Sequence, residues 1–211
     1  LFSPLPYAVV KYRSAEMRRQ TSELTRTNRY DVLICDFLAP AINVPGDLSC
    51  PAVLFQHNVE ALIWQRHYEV QTNKIKKAYL YGQWRKMRAF EAAACRRFGH
   101  VVAVSREDSE LMRRDYGVSA VDDVPTGVDT TFFRAQGTER REPHNLVFTG
   151  SMDWLPNEDA IRYFTEQIMP LIQQEVPDVT LTVVGGNPYQ ALVELSERDA
   201  SVIGTGRVED V

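Results

Sequence analysis

The stretch Leu146-Val-Phe-Thr-Gly-Ser-Met-Asp-Trp-Leu-Pro-Asn157 carries the pattern that decides the fold. It runs from a short apolar segment through a glycine into a polar turn, and its Pro156 stands where the first turn of a helix favours proline. A continuous apolar run of this kind is typical of a strand that is covered on both faces. The stretch therefore predicts a buried strand, a turn at its carboxyl end and a helix over residues 157–175.

The same alternation of apolar run and helical pattern extends along the rest of the chain. Further apolar runs predict strands at residues 31–36, 52–56, 100–104, 121–124, 180–184 and 202–203. Helical patterns lie at residues 15–27, 58–67, 74–98, 106–116 and 189–198, with Ser14 and Ser105 as N-caps and Gly117 as a C-cap. Strand–helix repetition predicts a parallel sheet with helices on both sides, so we expect an α/β fold.

One polar segment interrupts this alternation. Residues 134–144, RAQGTERREPH, are charged, contain glycine and proline, and show no apolar periodicity. Such a composition is typical of a linker between domains. We therefore predict one unit over residues 1–133, a linker over 134–144 and a second unit over 145–211.

The composition indicates a globular protein of a reducing compartment. Hydrophobic residues make up 44% of the chain and charged residues 25%, and no apolar run approaches the roughly 20 residues of a membrane span. The amino-terminal residues do not resemble a signal peptide. Three cysteines without a Cys-x-x-Cys spacing predict packed thiols, and the four histidines do not stand at ligand spacing from them, so we expect no metal site.

The charge is unevenly distributed. The chain has a formal net charge of −4, yet residues 74–97 contain eight basic residues and one acid, Glu91. An acidic protein with one basic helix is not expected to bind nucleic acid in general. Two interpretations of this helix stay open: a merely solvated face, or a face that contacts anionic lipid head groups.

Glycine-rich turns follow each predicted strand of the second unit. In open α/β sheets, ligands bind at the carboxyl ends of the strands, and glycines there allow a ligand to approach the backbone. Three such turns at one edge predict a nucleotide-shaped ligand, whereas tight turns without a ligand are the alternative. The candidate binding residues are Gly150, Ser151, Asp153, Asn157, Gly185, Gly186, Gly204, Thr205, Gly206 and Arg207.

Two residues of the first unit are candidates for chemistry. His57 follows the strand at 52–56, where it could exchange protons at the edge of the sheet. It could instead cap the next helix or pack without a chemical role. Glu91 interrupts the apolar stripe of the long helix, so its carboxylate must be paired or must face a cleft. An ion pair with a neighbouring arginine is the interpretation we favour for it.

Several blocks of the sequence resemble glycosyltransferase family 4, the retaining nucleotide-sugar transferases of the GT-B fold. The blocks are QHNVE at 56–60, FE at 90–91, VVAVS at 101–105, PTGVDTTFF at 125–133, VFTGSMDWLPN at 147–157, VGG at 184–186 and TGRVEDV at 205–211. The resemblance spans nearly the whole chain. Residues 5–14 together with Asp36-Phe37-Leu38 resemble a subgroup found in exopolysaccharide clusters, including transferases associated with exosortase systems.

The resemblance implies two incomplete Rossmann-like domains with mainly parallel sheets, the first for the acceptor and the second for the donor. His57 would line the cleft beside the transferred sugar as the catalytic residue, and the three glycine turns would face the donor. The partners would be a nucleotide-diphosphate sugar as substrate, without a further cofactor, and a glycan or lipid-linked acceptor. The protein would be cytoplasmic, peripheral on the inner face of the membrane. Possible cleft residues are Asn58, Glu60, Glu91, Ser105, Gly127 and Asp129.

The sequence also departs from the family pattern. The first donor-domain loop, residues 151–157, lacks the Arg and Lys that many members carry there. The paired-glutamate motif of the family would come after residue 211, and its glycine-rich acceptor loop before residue 1. We therefore expect this chain to be part of a longer protein. On its own, we expect the part to be inactive and to self-associate through uncovered strand edges. The alternatives are a nucleotide-sugar epimerase and a non-catalytic sensor or structural protein.

Overall fold

The chain forms two compact units. A computed structural model describes residues 3–27, 30–134 and 142–209, without the side chain of Leu155. Unit 1 comprises Leu1–Thr130 and unit 2 comprises Thr131–Val211. Of the linker predicted over residues 134–144, residues 135–141 lie outside the described part of the chain.

In the described part of unit 1, four strands form a parallel sheet. They are β1 (Leu33–Asp36), β2 (Ala52–Gln56), β3 (His100–Ala103) and β4 (Val121–Asp123). Their order in the sheet follows their order in the sequence. The register places Asp36 opposite Phe55 and Ala103 opposite Gln56, so the segments that follow β1, β2 and β3 leave the sheet at one edge. The predicted parallel α/β fold is confirmed for this unit.

Helices connect and cover these strands. They are α1 (Tyr7–Val10), α2 (Ala15–Arg26), α3 (Glu60–Val70), α4 (Lys74–Arg97) and α5 (Arg106–Tyr116), with a short 3₁₀ turn at Ala39–Asn43. Ser14 and Ser105 cap α2 and α5 as predicted, and Gly117 ends α5 with a φ of 67°. The first helix after β2 begins at Glu60 rather than at residue 58. His57, Asn58 and Val59 therefore form a turn instead of its first residues.

The core of unit 1 lies between the sheet and the long helix. Leu54, Val101 and Ala103 of the strands are fully buried against Met87 and Cys95 of α4. Burial raises the pKa of the Cys95 thiol to about 12 and that of the Cys35 thiol to about 11. Both are therefore packed, protonated thiols at neutral pH, as the sequence predicts.

Unit 2 repeats the pattern on a smaller scale. Its described part contains a parallel sheet of β5 (Asn145–Thr149), β6 (Thr180–Val184) and β7 (Val202–Gly206), in that order. Its helices are α6 (Leu155–Tyr163), α7 (Met169–Glu175) and α8 (Gln190–Arg198). A core that includes Met152, Ile161, Leu181 and Val183 joins the sheet to the helices.

The prediction of one regular helix over residues 157–175 is wrong in two respects. The helix begins earlier, at Leu155, and a π-helical segment at Phe164–Ile168 separates α6 from α7. Pro170 lies in the first turn of α7 and has no backbone N–H to donate to a preceding carbonyl. The wider π turn accommodates the loss of that hydrogen bond without ending the helical run.

Candidate functional site

The turns after β5, β6 and β7 lie side by side at the carboxyl edge of the unit 2 sheet. The N–H of Gly150 donates to the carbonyl of Val184 at 3.0 Å, and the N–H of Gly185 donates to the carbonyl of Gly206 at 3.0 Å. The N–H of Met152 also donates to the carbonyl of Gly186, at 3.1 Å. The predicted convergence of the three glycine turns is therefore present in the structure.

The packing of the turns requires glycine at Gly185, whereas a side chain at Gly150 would displace the Asn157 side chain. A Cβ atom on Gly185 would lie 1.7 Å from the carbonyl oxygen of Gly150, a distance that no side chain tolerates. A Cβ on Gly150 would lie 2.7 Å from Nδ2 of Asn157. A Cβ on Gly186, by contrast, meets its nearest atom, Cβ of Arg207, at 3.8 Å. Of Gly185 and Gly186, Gly186 is therefore the residue whose backbone remains open to a ligand.

A polar network fixes the first two turns to each other. The Asp153 carboxylate accepts hydrogen bonds from the Ser151 hydroxyl at 2.6 Å and from Nδ2 of Asn187 at 3.0 Å. These bonds hold the pKa of Asp153 below its usual range. Nδ2 of Asn157 donates to the carbonyl of Ser151 at 2.8 Å. Ser151, Asp153 and Asn157 thus shape the edge through bonds within the protein.

Several N–H groups around the start of α6 are bonded within the protein. The N–H of Trp154 points to the carbonyl of Ser151, and the N–H groups of Asn157 and Glu158 both point to the carbonyl of Trp154. Pro156 has no N–H. The turn therefore uses the N–H groups of Trp154, Asn157 and Glu158 within the protein.

The third turn adds a cation to the edge. Gly206 has a φ of 71°, which glycine adopts without strain, and Arg207 follows it with an exposed side chain. The Thr205 hydroxyl donates to the carbonyl of Gly206 at 3.0 Å, and Gly204 packs against the Ser196 hydroxyl. Arg207 is therefore placed next to Gly186, where it can meet an anionic ligand.

His57 lies at the carboxyl edge of the unit 1 sheet, as predicted, and is held there by residues that follow β1. Its Nε2 atom is 2.7 Å from Oδ1 of Asp36. Its ring stacks on Phe37 with centroids 4.0 Å apart, and Phe55 contacts it at 4.6 Å. Phe37 has a φ of 66°, an unusual conformation for an aromatic residue, and its N–H donates to the carbonyl of Phe55.

This arrangement leaves one ring nitrogen of His57 available to a ligand. With Asp36 bound at Nε2, the neutral ring carries its proton on Nε2 and keeps Nδ1 as an acceptor; this tautomer is assigned from the hydrogen bond. The side chain is 34% exposed, so a ligand can reach it. The alternative that His57 caps α3 is wrong, because Val59 is the residue before the helix and the cap comes from elsewhere.

Glu91 supplies that cap. Its side chain is fully buried, and its carboxylate accepts hydrogen bonds from the N–H groups of Glu60 at 2.8 Å and Ala61 at 2.9 Å. The Tyr116 hydroxyl donates to it at 2.8 Å and Nε2 of Gln56 at 3.4 Å. Burial raises its pKa to about 7, against the lowering effect of these bonds. The donors to Glu91 among the described residues include no arginine, so the favoured ion pair is wrong. The cleft-facing alternative is wrong because the side chain is fully buried.

The other candidates of unit 1 have different surroundings. Glu60 is half-buried, and burial raises the pKa of its carboxyl group. The Ser105 hydroxyl accepts the N–H of Asp108 and so serves as a helix cap. Asn58, Gly127 and Asp129 are exposed. Asn58 and Glu60 belong to the segment of His57, whereas Gly127 lies in a separate segment that follows β4.

Three residues that matter for these edges were not among the predicted site residues. Asp36 and Phe37 hold the His57 ring, and Asn187 holds Asp153. A signal for Asn187 existed: it follows two glycines and has a φ of 57°, a conformation that asparagine adopts more readily than most residues. Asp36 stands at the end of a predicted strand. Its contact with His57 could not be predicted, because it depends on which strands are neighbours in the sheet.

The chain thus has two Rossmann-like α/β units. One has glycine turns at the carboxyl edge of its sheet, and the other has a histidine–carboxylate pair at the carboxyl edge of its own sheet. The family model described as Glycosyltransferase Family 4 matches residues 3–132, and the model described as Glycosyl transferases group 1 matches residues 143–211. The chain belongs to glycosyltransferase family 4, and its GT-B type α/β fold agrees with that assignment. No curated protein matches the chain.

Proposed function

We propose that the chain belongs to a retaining enzyme that moves a sugar from a nucleotide-diphosphate sugar to a glycan or lipid-linked acceptor in bacterial polysaccharide synthesis. The observation that supports it best is the packing of three glycine turns at one sheet edge of unit 2, because open α/β sheets bind nucleotides at such edges. The proposal assigns the donor to this edge and the acceptor to unit 1.

The reaction breaks the bond between the anomeric carbon and the diphosphate and forms a bond from that carbon to an acceptor hydroxyl oxygen. The products are the glycoside, the nucleoside diphosphate and a proton. Charge develops on the departing diphosphate, so groups fixed around it lower the barrier most. We propose that the reaction needs no cofactor. Transfer that persists in the presence of EDTA would agree with this for divalent metal ions. Retention is tested by NMR of the product anomer.

Arg207 is the residue of unit 2 that we assign to the diphosphate. Its side chain is exposed beside Gly186, and the N–H groups of Trp154, Asn157 and Glu158 around the start of α6 are already used within the protein. Calorimetry of the intact protein with nucleoside diphosphates tests this. We expect Arg207→Ala to weaken binding at least about tenfold, since a charge-assisted hydrogen bond contributes on the order of 1.5–3 kcal/mol.

Arg198 provides the matched control for that measurement. It is exposed in the same unit but ends α8, away from the carboxyl edge, because the helix runs back towards the start of β7. Arg198→Ala should bind nucleotide as the parent does. Equal affinities for all three proteins would remove Arg207 from the donor site.

His57 is the residue that we assign to the transferred sugar. Its Nε2 is bound to Asp36, and its Nδ1 can accept a hydrogen bond from a sugar hydroxyl or, when protonated, donate one. We expect His57→Ala to lower turnover about a hundredfold, in the range of a lost proton-transfer group, with nucleotide affinity unchanged. A turnover equal to that of the parent would exclude this role.

The exposed part of α4 supports contact with an anionic membrane. Lys74, Lys76, Arg85 and Arg88 are exposed, while the single acid of the helix, Glu91, is buried. Ile75 is 84% exposed, so an apolar side chain accompanies the cations. We therefore place the protein peripherally on the inner face of the membrane. Within the described residues, no helix is both long and apolar enough to pass through a bilayer.

Not all cations of α4 are available for lipid. Arg96 donates to the carbonyl of Tyr116, and Arg97 donates to the carbonyls of Ala41 and Val44. These two arginines link α4 to other segments of unit 1. The proposed lipid-binding surface therefore lies on the amino-terminal half of the helix. The experiment is flotation of the intact protein with phosphatidylglycerol vesicles at low and high salt.

Lys74→Glu with Lys76→Glu should abolish flotation at low salt. Arg106→Glu with Arg114→Glu, the same change in charge on exposed residues of α5, should leave it intact. Equal flotation of both double variants would contradict a surface on α4.

A further inference from the structure

The turn that carries His57 is bound at both of its ends to one carboxylate. The turn connects Gln56, the last residue of β2, to Glu60, the first residue of α3. Nε2 of Gln56 lies 3.4 Å from Oε1 of Glu91, and the N–H of Glu60 lies 2.8 Å from the same oxygen. The N–H of Ala61 donates to the other oxygen at 2.9 Å. A single side chain of α4 thus spans the entry and the exit of the turn.

The carboxylate is itself held by its surroundings. Glu91 is fully buried in the middle of a helix of 24 residues. The Tyr116 hydroxyl of α5 donates to Oε2 at 2.8 Å, and Nε2 of Gln56 also contacts the buried sulfur of Cys95 at 3.3 Å. Val59, the last residue of the turn, is buried too. The backbone of the turn is therefore tied to α4 directly and to α5 through Tyr116.

The ring of His57 is fixed separately. Asp36 and Phe37 hold it from the segment after β1, at 2.7 Å and 4.0 Å. Its backbone position, by contrast, depends on the turn that Glu91 spans. The His57 ring keeps its position relative to the substrate only if the Cα atom of His57 does not shift. A displacement of about 1 Å can lower the rate about a hundredfold.

We propose that Glu91 is a positioning residue for sugar transfer: by holding both ends of the 57–59 turn, it sets where His57 meets the transferred sugar. This inference rests on the function proposed for His57. It assigns to Glu91 no contact with substrate, since the side chain is buried.

The test is steady-state kinetics of the intact protein carrying Glu91→Gln. A carboxamide keeps the size of the side chain but turns an NH₂ group towards one of the two N–H donors, so one end of the turn is released. We expect turnover to fall at least tenfold while the affinity for nucleoside diphosphate stays unchanged. Tyr116→Phe, which removes one donor and leaves the carboxylate in place, should lower turnover less.

Gln83→Leu is the matched control. Gln83 is buried in the same helix, and its Oε1 accepts the N–H of Tyr7 at 2.8 Å, at the start of another helix. Its replacement removes a buried cap without touching the 57–59 turn. We expect it to lower the melting temperature but to leave turnover within about twofold. A similar loss of turnover in Gln83→Leu and Glu91→Gln would show that Glu91 acts on stability alone.

A double variant separates this inference from the role of His57 itself. If His57→Ala slows transfer and Glu91→Gln adds nothing in the His57→Ala protein, both ideas hold. If the two effects multiply independently, Glu91 does not act through His57 and the positioning proposal is overturned. If His57→Ala leaves turnover unchanged, the proposed function of His57 fails first. Should Glu91→Gln not fold, the same cycle with Tyr116→Phe decides between these outcomes.

Discussion

Nε2 of His57 lies 2.7 Å from Oδ1 of Asp36; Asp36 ends β1, and His57 directly follows the adjacent parallel strand β2. Register explains the contact: Asp36 stands opposite Phe55, so the residue two positions after Phe55 reaches back over the end of β1. The carboxylate orients the imidazole through this hydrogen bond. A histidine that acts on a substrate depends on that orientation.

The first prediction concerns this pair. Asp36→Asn can still accept a hydrogen bond from Nε2, but the bond to an uncharged amide oxygen is weaker than the bond to a carboxylate. Because the pair is partly exposed, its loss should cost on the order of 1 kcal/mol, or about fivefold in turnover. Steady-state kinetics of the intact protein measure it. Asp122→Asn is the control, since it breaks the similar His100–Asp122 pair at 3.0 Å and should leave turnover alone.

The second prediction concerns the two glycines after β6. Gly185→Ala places a Cβ 1.7 Å from the Gly150 carbonyl, so the turns must separate and unit 2 should lose several kcal/mol of stability. Gly186→Ala meets no close atom and should fold as the parent does. If the donor approaches this backbone, however, Gly186→Ala will weaken nucleotide binding. Thermal unfolding and calorimetry of both variants separate the two effects, and equal stability of the two variants would contradict the close approach of Gly185 to Gly150.

The third prediction divides the role of Asn187 into two parts. Its φ of 57° costs most residues about 1 kcal/mol, and its side chain donates to Asp153. Asn187→Gly removes the hydrogen bond without backbone strain, whereas Asn187→Ala removes the bond and adds strain. Urea unfolding should therefore rank the parent, Asn187→Gly and Asn187→Ala in decreasing stability. An alanine variant more stable than the glycine variant would refute the conformational argument.

Local patterns in the sequence predicted most of the elements and both sheet edges. The strands, the caps at Ser14 and Ser105 and the three glycine turns each depend on residues close together in the chain, which periodicity reveals. The contacts of Asp36 and Glu91 could not be found in this way. They join residues that are 21 positions apart for Asp36 and 25 or more for Glu91, and they depend on strand order and on how α4 packs over the sheet. The ion pair expected for Glu91 failed for that reason, because backbone N–H groups of a distant helix satisfy its charge.

The last prediction uses the titration of Glu91. Burial raises the pKa of this carboxyl group from 4.5 to about 7 in the folded protein, so folding favours its protonated form. The folded state therefore gains stability from this group as the pH falls from about 7 to 4.5, and it loses that gain as the pH rises through 7. In Glu91→Gln this dependence is absent.

Urea unfolding of unit 1, followed through Trp64 and Trp84 in an intact protein carrying Trp154→Phe, should show the parent gaining stability relative to the variant between about pH 8 and about pH 5. The gain should be on the order of 3 kcal/mol, since each pKa unit corresponds to about 1.4 kcal/mol. A difference between parent and variant that stays constant over this range would mean that Glu91 remains ionised throughout, with its hydrogen-bond donors outweighing burial.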